Sequence, residues 1–148
     1  MESKIFVQTQ MLIRKPVNEV FEAFINPEIT TNFWFTKSSG KLEEGKTIVW
    51  EWEIYGAKSE VKVHQIIPNQ HIKTTWELFS NNVDYEFKEM EKGTLVIIKG
   101  YGYSQTGDEL LAVINDNTGG FTTVLDGCKA YLEHGISLRL IEDKFPSK

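Results

Sequence analysis

The sequence predicts an α+β fold in which a curved antiparallel sheet surrounds a long C-terminal helix. Three observations support this prediction. Apolar and polar residues alternate in residues 5–13, and further alternating stretches, separated by short turns, fill residues 47–103. After Asp108 the apolar residues recur at helical spacing. The chain has 148 residues, the usual size of one domain. We therefore expect residues 1–148 to form a single domain.

The first strand is predicted from Ile5 to Ile13, where the odd-numbered residues are mostly apolar. Pro16 suits a first helical turn, because its missing N–H is not needed there. Apolar residues at helical spacing then predict a short helix that Asn26 and Pro27 end. A further helical turn is expected within residues 27–32.

The middle of the chain is predicted to be a meander of strands, giving about six or seven strands in the whole sheet. Turns such as Pro68–Asn69 are short, and strands joined by short turns are antiparallel neighbours. The residues expected to face the interior are Ile48, Trp50, Trp52, Ile54, Val61, Val63, Ile72, Thr74, Trp76, Leu78, Val83, Tyr85 and Phe87.

The C-terminal helix is predicted from one apolar stripe that ends near Gly135, a suitable C-cap. Its members are Leu110, Leu111, Ile114, Phe121, Val124, Leu125, Cys128 and Leu132. Gly119 and Gly120 interrupt the pattern, and each glycine costs roughly 1 kcal/mol relative to alanine inside a helix. We expect either a helix break there or a close approach of the backbone to another group.

Composition limits the possible partners and location of the chain. The formal net charge of -5, without a run of Lys or Arg, argues against nucleic-acid binding. No stretch reaches the ~20 apolar residues of a membrane span, and the N-terminus has no signal-peptide pattern. Cys128 is a single cysteine, which excludes an intramolecular disulfide. We therefore predict a cytoplasmic protein that is a monomer or weak dimer.

The sequence shows no catalytic or metal-binding constellation, and we predict no cofactor. The three histidines are far apart in sequence, and His64 and His71 are expected on the outer face of the sheet. Cys128 lies on the apolar stripe, where a buried unreactive thiol is expected. Glu51 and Glu53 are expected to face solvent, so they do not form an acid–base pair in a pocket.

The inward-facing aromatic residues allow two interpretations, a packed core or a ligand pocket. Many ring systems favour a pocket, because indole and phenol groups combine apolar area with a polar handle. Trp34 and Phe35, which follow the short helices, would lie near its mouth. Lys99 is expected to face solvent; facing inward, it would be the charged contact for an acidic ligand.

Several segments together resemble the SRPBCC or START-like superfamily, which includes the major birch-pollen allergen. They are KPVNEVFEAFINPEITTNFW (residues 15–34), LEEGKTIVWEWEIYG (42–56), VKVHQIIPNQHIKTTW (61–76) and GGFTTVLDGCKAYLEHG (119–135). Their order is similar to that of the bacterial branch homologous to the activator of the heat-shock-protein ATPase, with Phe121 where that branch usually has Trp. The resemblance implies the helix-grip fold.

The resemblance implies three classes of function without choosing among them. A hydrophobic small molecule (lipid-like, polyketide-like or aromatic) would occupy a cavity between the sheet and the C-terminal helix. The alternative is a protein-interaction module whose partner is a chaperone, and the third is a cyclase- or hydrolase-type enzyme. The predicted cavity residues are Trp34, Phe35, Trp50, Trp52, Val63, Thr74, Trp76, Tyr85, Phe87, Phe121 and Leu125.

Overall fold

The computed structural model describes residues 5–146 and confirms the predicted α+β architecture. Its strands are β1 Phe6–Ile13, β2 Lys37–Ser38, β3 Thr47–Trp52, β4 Ala57–Ile67, β5 His71–Trp76, β6 Asn81–Met90 and β7 Gly93–Tyr101. Its helices are α1 Val17–Ile25, α2 Pro27–Thr30, α3 Gly107–His134 and α4 Leu140–Lys144, and a 3-10 turn spans Glu53–Tyr55.

The seven strands form one antiparallel sheet in the order β1-β7-β6-β5-β4-β3-β2. On paired strands, inward-facing residues lie opposite one another, for example Val63 opposite Thr74 and Ile72 opposite Tyr85. The pairing of β4 with β5 shifts between Val63 and Gln65, and such a bulge increases the local bend and twist of a sheet. The apolar face of the sheet therefore curves towards the helices.

The short helices cover one part of this concave face. α1 begins after Pro16, and the side chain of Asn26 accepts a hydrogen bond from the backbone N–H of Glu28 at the start of α2 (3.1 Å). The rings of Phe21 and Phe24 pack edge-on against Phe87 of β6, with centroids 5.3 and 5.7 Å apart. The sequence predicted both short helices, and the structure confirms them.

Helix α3 packs along β1 and covers the rest of the concave face. It is continuous through Gly119 and Gly120, and a Cβ added at either glycine would have nothing within 4 Å besides its chain neighbours and the adjoining backbone of the helix itself. The expectation of a helix break or a close approach there is wrong. The C-cap is Gly135, with a left-handed φ of 68°, as predicted. Leu111, expected on the apolar stripe, is 58% exposed.

Two strands end earlier than their alternation predicts. β3 ends at Trp52, because the chain enters the 3-10 turn, and Ile54 is exposed rather than inward-facing. β5 ends at Trp76, and Leu78 beyond it is also exposed. Both strands therefore stop with a tryptophan at the same end of the sheet, where the functional site described below is located.

A polar cluster joins the C-terminal end of α3 to the β1–α1 connection. Glu133 Oε2 accepts hydrogen bonds from the backbone N–H of Arg14 (2.9 Å) and from Lys129 Nζ (2.5 Å). Lys129 Nζ also donates to the carbonyl oxygen of Leu12 (2.9 Å). Burial raises the pKa of Glu133, but these donors and the nearby charges of Lys129 and His134 outweigh it, so the pKa lies below its ordinary value.

Candidate functional site

A cavity of about 340 Å³ lies between the end of the sheet and the middle of α3. This volume is near the lower limit of small-molecule pockets. Seven of its wall residues are aromatic, and the others are aliphatic, glycine or polar. The wall consists of Trp34, Trp52, Tyr55, Ala57, Trp76, Leu78, Phe79, Asp116, Asn117, Gly120, Phe121, Ile141 and Phe145.

The inner wall is formed by rings that also belong to the core. Trp34, Trp76 and Phe121 are each at most 7% exposed, and the Trp76 and Phe121 rings meet edge-on at 5.7 Å. Trp76 Nε1 donates to Thr74 Oγ1 (3.1 Å), which fixes the plane of the indole. Below this layer, Phe35 stacks on Trp50 with ring centroids 4.3 Å apart. The inner wall therefore rests on a tightly packed aromatic layer.

Helix α3 supplies the opposite wall through its residues 116–121. Gly120 leaves open space where another residue would place a side chain. Asn117 is buried, and its Nδ2 donates to the carbonyl oxygen of Val113 (3.1 Å). Asp116 lies beside it, and burial raises the pKa of its carboxyl above the ordinary value. Apart from these two polar residues, the helix presents a glycine and an aromatic ring to the cavity.

The C-terminal segment closes one side of the cavity. Ile141 and Phe145 line it, and the hydroxyl of Tyr55 lies within hydrogen-bond distance of the carbonyl oxygens of both residues, 3.1 Å from that of Ile141. Ser137 Oγ donates to the carbonyl oxygen of Asn32 (2.8 Å), which holds the same segment near α2. α4 is therefore attached over the cavity by a few polar contacts rather than by deep packing.

Two phenol hydroxyls are buried beneath the inner wall. That of Tyr85 lies beside Trp76, whose side chain acts to lower its pKa, and that of Tyr103 approaches Gly100 and has no hydrogen-bond partner among residues 5–146. Burial raises the pKa of both phenols, that of Tyr103 to about 12. Both groups are therefore neutral at physiological pH.

Four of the predicted cavity residues line this cavity: Trp34, Trp52, Trp76 and Phe121. The other predicted residues are buried in the core and do not reach its wall: Phe35, Trp50, Val63, Thr74, Tyr85, Phe87 and Leu125. Whether any of them contacts a ligand stays a prediction.

Nine wall residues are absent from the predicted cavity set, although one of them, Leu78, was expected to face the interior. They are Tyr55, Ala57, Leu78, Phe79, Asp116, Asn117, Gly120, Ile141 and Phe145. The sequence could have indicated Ile141 and Phe145, because they are four residues apart and therefore fall on one side of a helix. Tyr55 and Phe79 lie in turns, where side-chain direction does not repeat regularly along the chain as it does in a strand or helix.

The titratable groups considered from sequence lie away from the cavity. His64 and His71 are on the outer face of the sheet, where they hydrogen-bond to Thr75 and Gln65. Lys99 faces outward, with its Nζ 4.6 Å from the centroid of the Phe6 ring.

Glu51 pairs with Lys58 (3.5 Å) and Lys37 (3.9 Å), and Glu53 is exposed. Cys128 is fully buried, and burial raises the pKa of its thiol. Within residues 5–146 no group of three or more His, Cys, Asp or Glu side chains is placed to hold a metal ion.

Other depressions in the surface are less suited to an aromatic or lipid-like ligand. A cleft of about 50 Å³ beside the cavity shares Trp34, Trp52 and Ile141 with it and has room for little more than a water molecule. A depression of about 400 Å³ on the outer sheet face and one of about 610 Å³ beside α1 each have a single aromatic residue in their walls.

Comparison with known families gives a match over most of the chain. The family model described as activator of Hsp90 ATPase homolog 1-like protein matches residues 14–133. No curated protein matches the sequence. Within residues 5–146, no helix is both long enough and apolar enough to cross a membrane.

Solved structures share the fold along nearly the whole chain. The protein SSP2350 from Staphylococcus saprophyticus is 32% identical, with a TM-score of 0.81 over 91% of this chain and 96% of that one. The Aha1 dimer from Colwellia psychrerythraea is 18% identical, with a TM-score of 0.75 over 88% and 98%. DynU16, a putative protein of the dynemicin biosynthetic locus, is 16% identical, with a TM-score of 0.76 over 91% of this chain and 49% of that one.

Proposed function

We propose that this chain, which belongs to the family of activator of Hsp90 ATPase homolog 1-like proteins, binds an apolar aromatic small molecule between its sheet and α3. The observation that carries the proposal is the wall of seven aromatic residues around a space of about 340 Å³. Such a concave, mostly apolar site with a few polar groups is typical of ligand pockets. Lipid-like and polyketide-like molecules with a flat ring system belong to the same class.

The arrangement of the site fits binding without chemical change. Its wall carries one carboxyl group, Asp116, and one phenol, Tyr55, whose hydroxyl is engaged by backbone carbonyls. General acid–base catalysis commonly pairs an acid with a base, each positioned to exchange a proton with the substrate. We therefore propose a binding module rather than a cyclase- or hydrolase-type enzyme.

A blocking variant tests this proposal without disturbing the core. Gly120→Leu places a side chain in the cavity, whereas Gly119→Leu adds the same atoms to a neighbouring helical position outside the wall. Trp76→Ala is less informative, because Trp76 is 4% exposed and its loss costs about 3–5 kcal/mol whatever its role.

The measurement is tryptophan fluorescence during titration with flavonoids, fatty acids and polycyclic aromatic compounds. We expect at least one aromatic compound to shift the emission of the parent chain and of Gly119→Leu but not of Gly120→Leu. A panel that leaves the parent spectrum unchanged, or that acts equally on all three proteins, would contradict the proposal.

The family match favours a chaperone-directed function as the second candidate, because the family is described by its likeness to an activator of the Hsp90 ATPase. Its test is the ATPase rate of purified Hsp90 with and without this chain. An unchanged rate and no complex in sedimentation would exclude it. The buried free thiol of Cys128 supports the accompanying proposal of a cytoplasmic location.

A further inference from the structure

The cavity wall carries charge of only one sign. Among its described residues Asp116 is charged, and none is Lys or Arg. From Gly107 to Cys128, before Lys129, the charged side chains of α3 are all acidic: Asp108, Glu109, Asp116 and Asp126. A ligand entering beside this helix therefore meets a negative potential.

Among residues 5–146, no Lys or Arg side chain forms an ion pair with Asp116. Arg139 lines the neighbouring small cleft together with Glu142, and Lys58 pairs with Glu51 (3.5 Å) on the outer face of the sheet. Asp116 is an exposed residue at the edge of the wall, and the partial burial of its carboxyl raises its pKa. A bound cation would supply the missing compensation.

Resting on the proposed function, we infer that the ligand of this cavity carries a protonated amine on its aromatic body. The Asp116 carboxylate would accept a charge-assisted hydrogen bond from the ammonium group. The faces of Trp34, Trp52 and other wall rings would attract the same cation. A ligand carboxylate or phosphate would instead meet a like charge and no base.

The second polar side chain of the wall fits the same ligand. Asn117 Nδ2 donates one hydrogen to the carbonyl oxygen of Val113, which leaves the acceptor Oδ1 and a second N–H of the amide for a ligand. An ammonium group has three donors and no acceptor. Asp116 and Asn117 both line the cavity, and each presents a side-chain oxygen that can accept a hydrogen bond from such a group.

Three probes with one ring system separate the effect of charge from that of shape. We would titrate the full chain with 1-naphthylmethylamine, 1-naphthalenemethanol and 1-naphthoic acid by isothermal calorimetry at pH 7 and low ionic strength. The amine should bind at least about tenfold more tightly than the alcohol, with the acid weakest. Asp116→Asn should reduce the affinity for the amine to that for the alcohol, with a much smaller effect on the alcohol.

Asp108→Asn is the matched control, because it removes the same charge from a residue of the same helix, about 12 Å away, that does not line the cavity. It should preserve the order of affinities. Thermal unfolding checks that Asp116→Asn folds, which we expect because the charged form of that carboxyl is disfavoured by burial.

The failures of the two proposals are distinguishable. If the three probes bind equally, if the acid binds best, or if Asp116→Asn changes nothing, the amine inference is overturned. Aromatic binding that Gly120→Leu blocks would still stand in that case. If none of the three probes binds, the amine inference is overturned, and the fluorescence titration with the wider panel decides the aromatic-binding proposal separately.

Discussion

Alanine at Gly119 and Gly120 should stabilise the protein, although both glycines lie in the middle of its longest helix. Each has a helical backbone and open space at its Cβ position. Glycine is about 0.8–1.0 kcal/mol less favourable than alanine in a helix interior. Each single substitution should therefore add about 1 kcal/mol to the free energy of unfolding, and the double variant about 2 kcal/mol.

Urea unfolding, monitored by circular dichroism and tryptophan fluorescence, measures these changes directly. In a thermal scan, each 1 kcal/mol should raise the Tm by roughly 2–4 °C for a chain of this size. Unchanged or lowered stability in both single variants would refute the reasoning, since the helix would then be irregular at this point or crowded by another group.

Gly127 provides the matched control within the same helix. Its added Cβ would lie 3.2 Å from Phe33 Cβ and 3.4 Å from the Phe33 carbonyl oxygen, closer than ordinary contact. In Gly127→Ala, steric strain should therefore cancel the stabilisation that the higher helix propensity of alanine would otherwise give. Gly120→Ala should also weaken ligand binding relative to Gly119→Ala, because only Gly120 lines the cavity.

Three further predictions follow from local contacts. Tyr55→Phe removes the hydroxyl that contacts the carbonyls of α4, so amide exchange in α4 should accelerate while the global stability falls by no more than about 1.5 kcal/mol; unchanged exchange would argue against this attachment. Glu133→Gln should lower stability by about 1.5–3 kcal/mol at pH 7, because Glu133 accepts hydrogen bonds from Lys129 and the backbone. The folded-state pKa of Glu133 is lowered, so its contribution to the free energy of unfolding is present above the unfolded pKa and is lost as the pH falls through the folded pKa. A difference in stability between parent and variant that does not change with pH would contradict this. Cys128 should react with a thiol reagent only upon unfolding, because its sulfur is buried and its pKa raised; rapid native-state labelling would disprove it.

The sequence was sufficient to predict the central sheet, because alternation with period two determines which face a strand residue occupies. Val63, Trp76 and Tyr85 are all buried on the predicted face. The same rule failed at Ile54 and Leu78, because alternation does not show where a strand ends. A 3-10 turn follows Trp52, and a turn follows Trp76.

The position of the cavity depends on tertiary contacts that no local pattern contains. An inward-facing aromatic residue can fill the core or line an opening, and the two environments require the same residue type. Trp50 is buried under Phe35, whereas Trp52, two residues later on the same strand, reaches the cavity wall. The expected helix break or close approach at Gly119 and Gly120 was wrong, because the low helix propensity of glycine does not show whether a helix continues through it.

Small side chains and strand ends together explain why the opening lies where it does. The middle of the sheet is filled by interlocking rings, so no cavity can form there without losing packing energy. At the end of β3 and β5 the strands stop, α3 contributes Gly120 in place of a side chain, and Ala57 begins β4 with a single methyl group. The residues that stabilise the fold are therefore largely separate from those that leave the space open. Substitutions at Gly120 and Asp116 should consequently alter ligand affinity with little loss of stability, as required of residues that serve binding rather than folding.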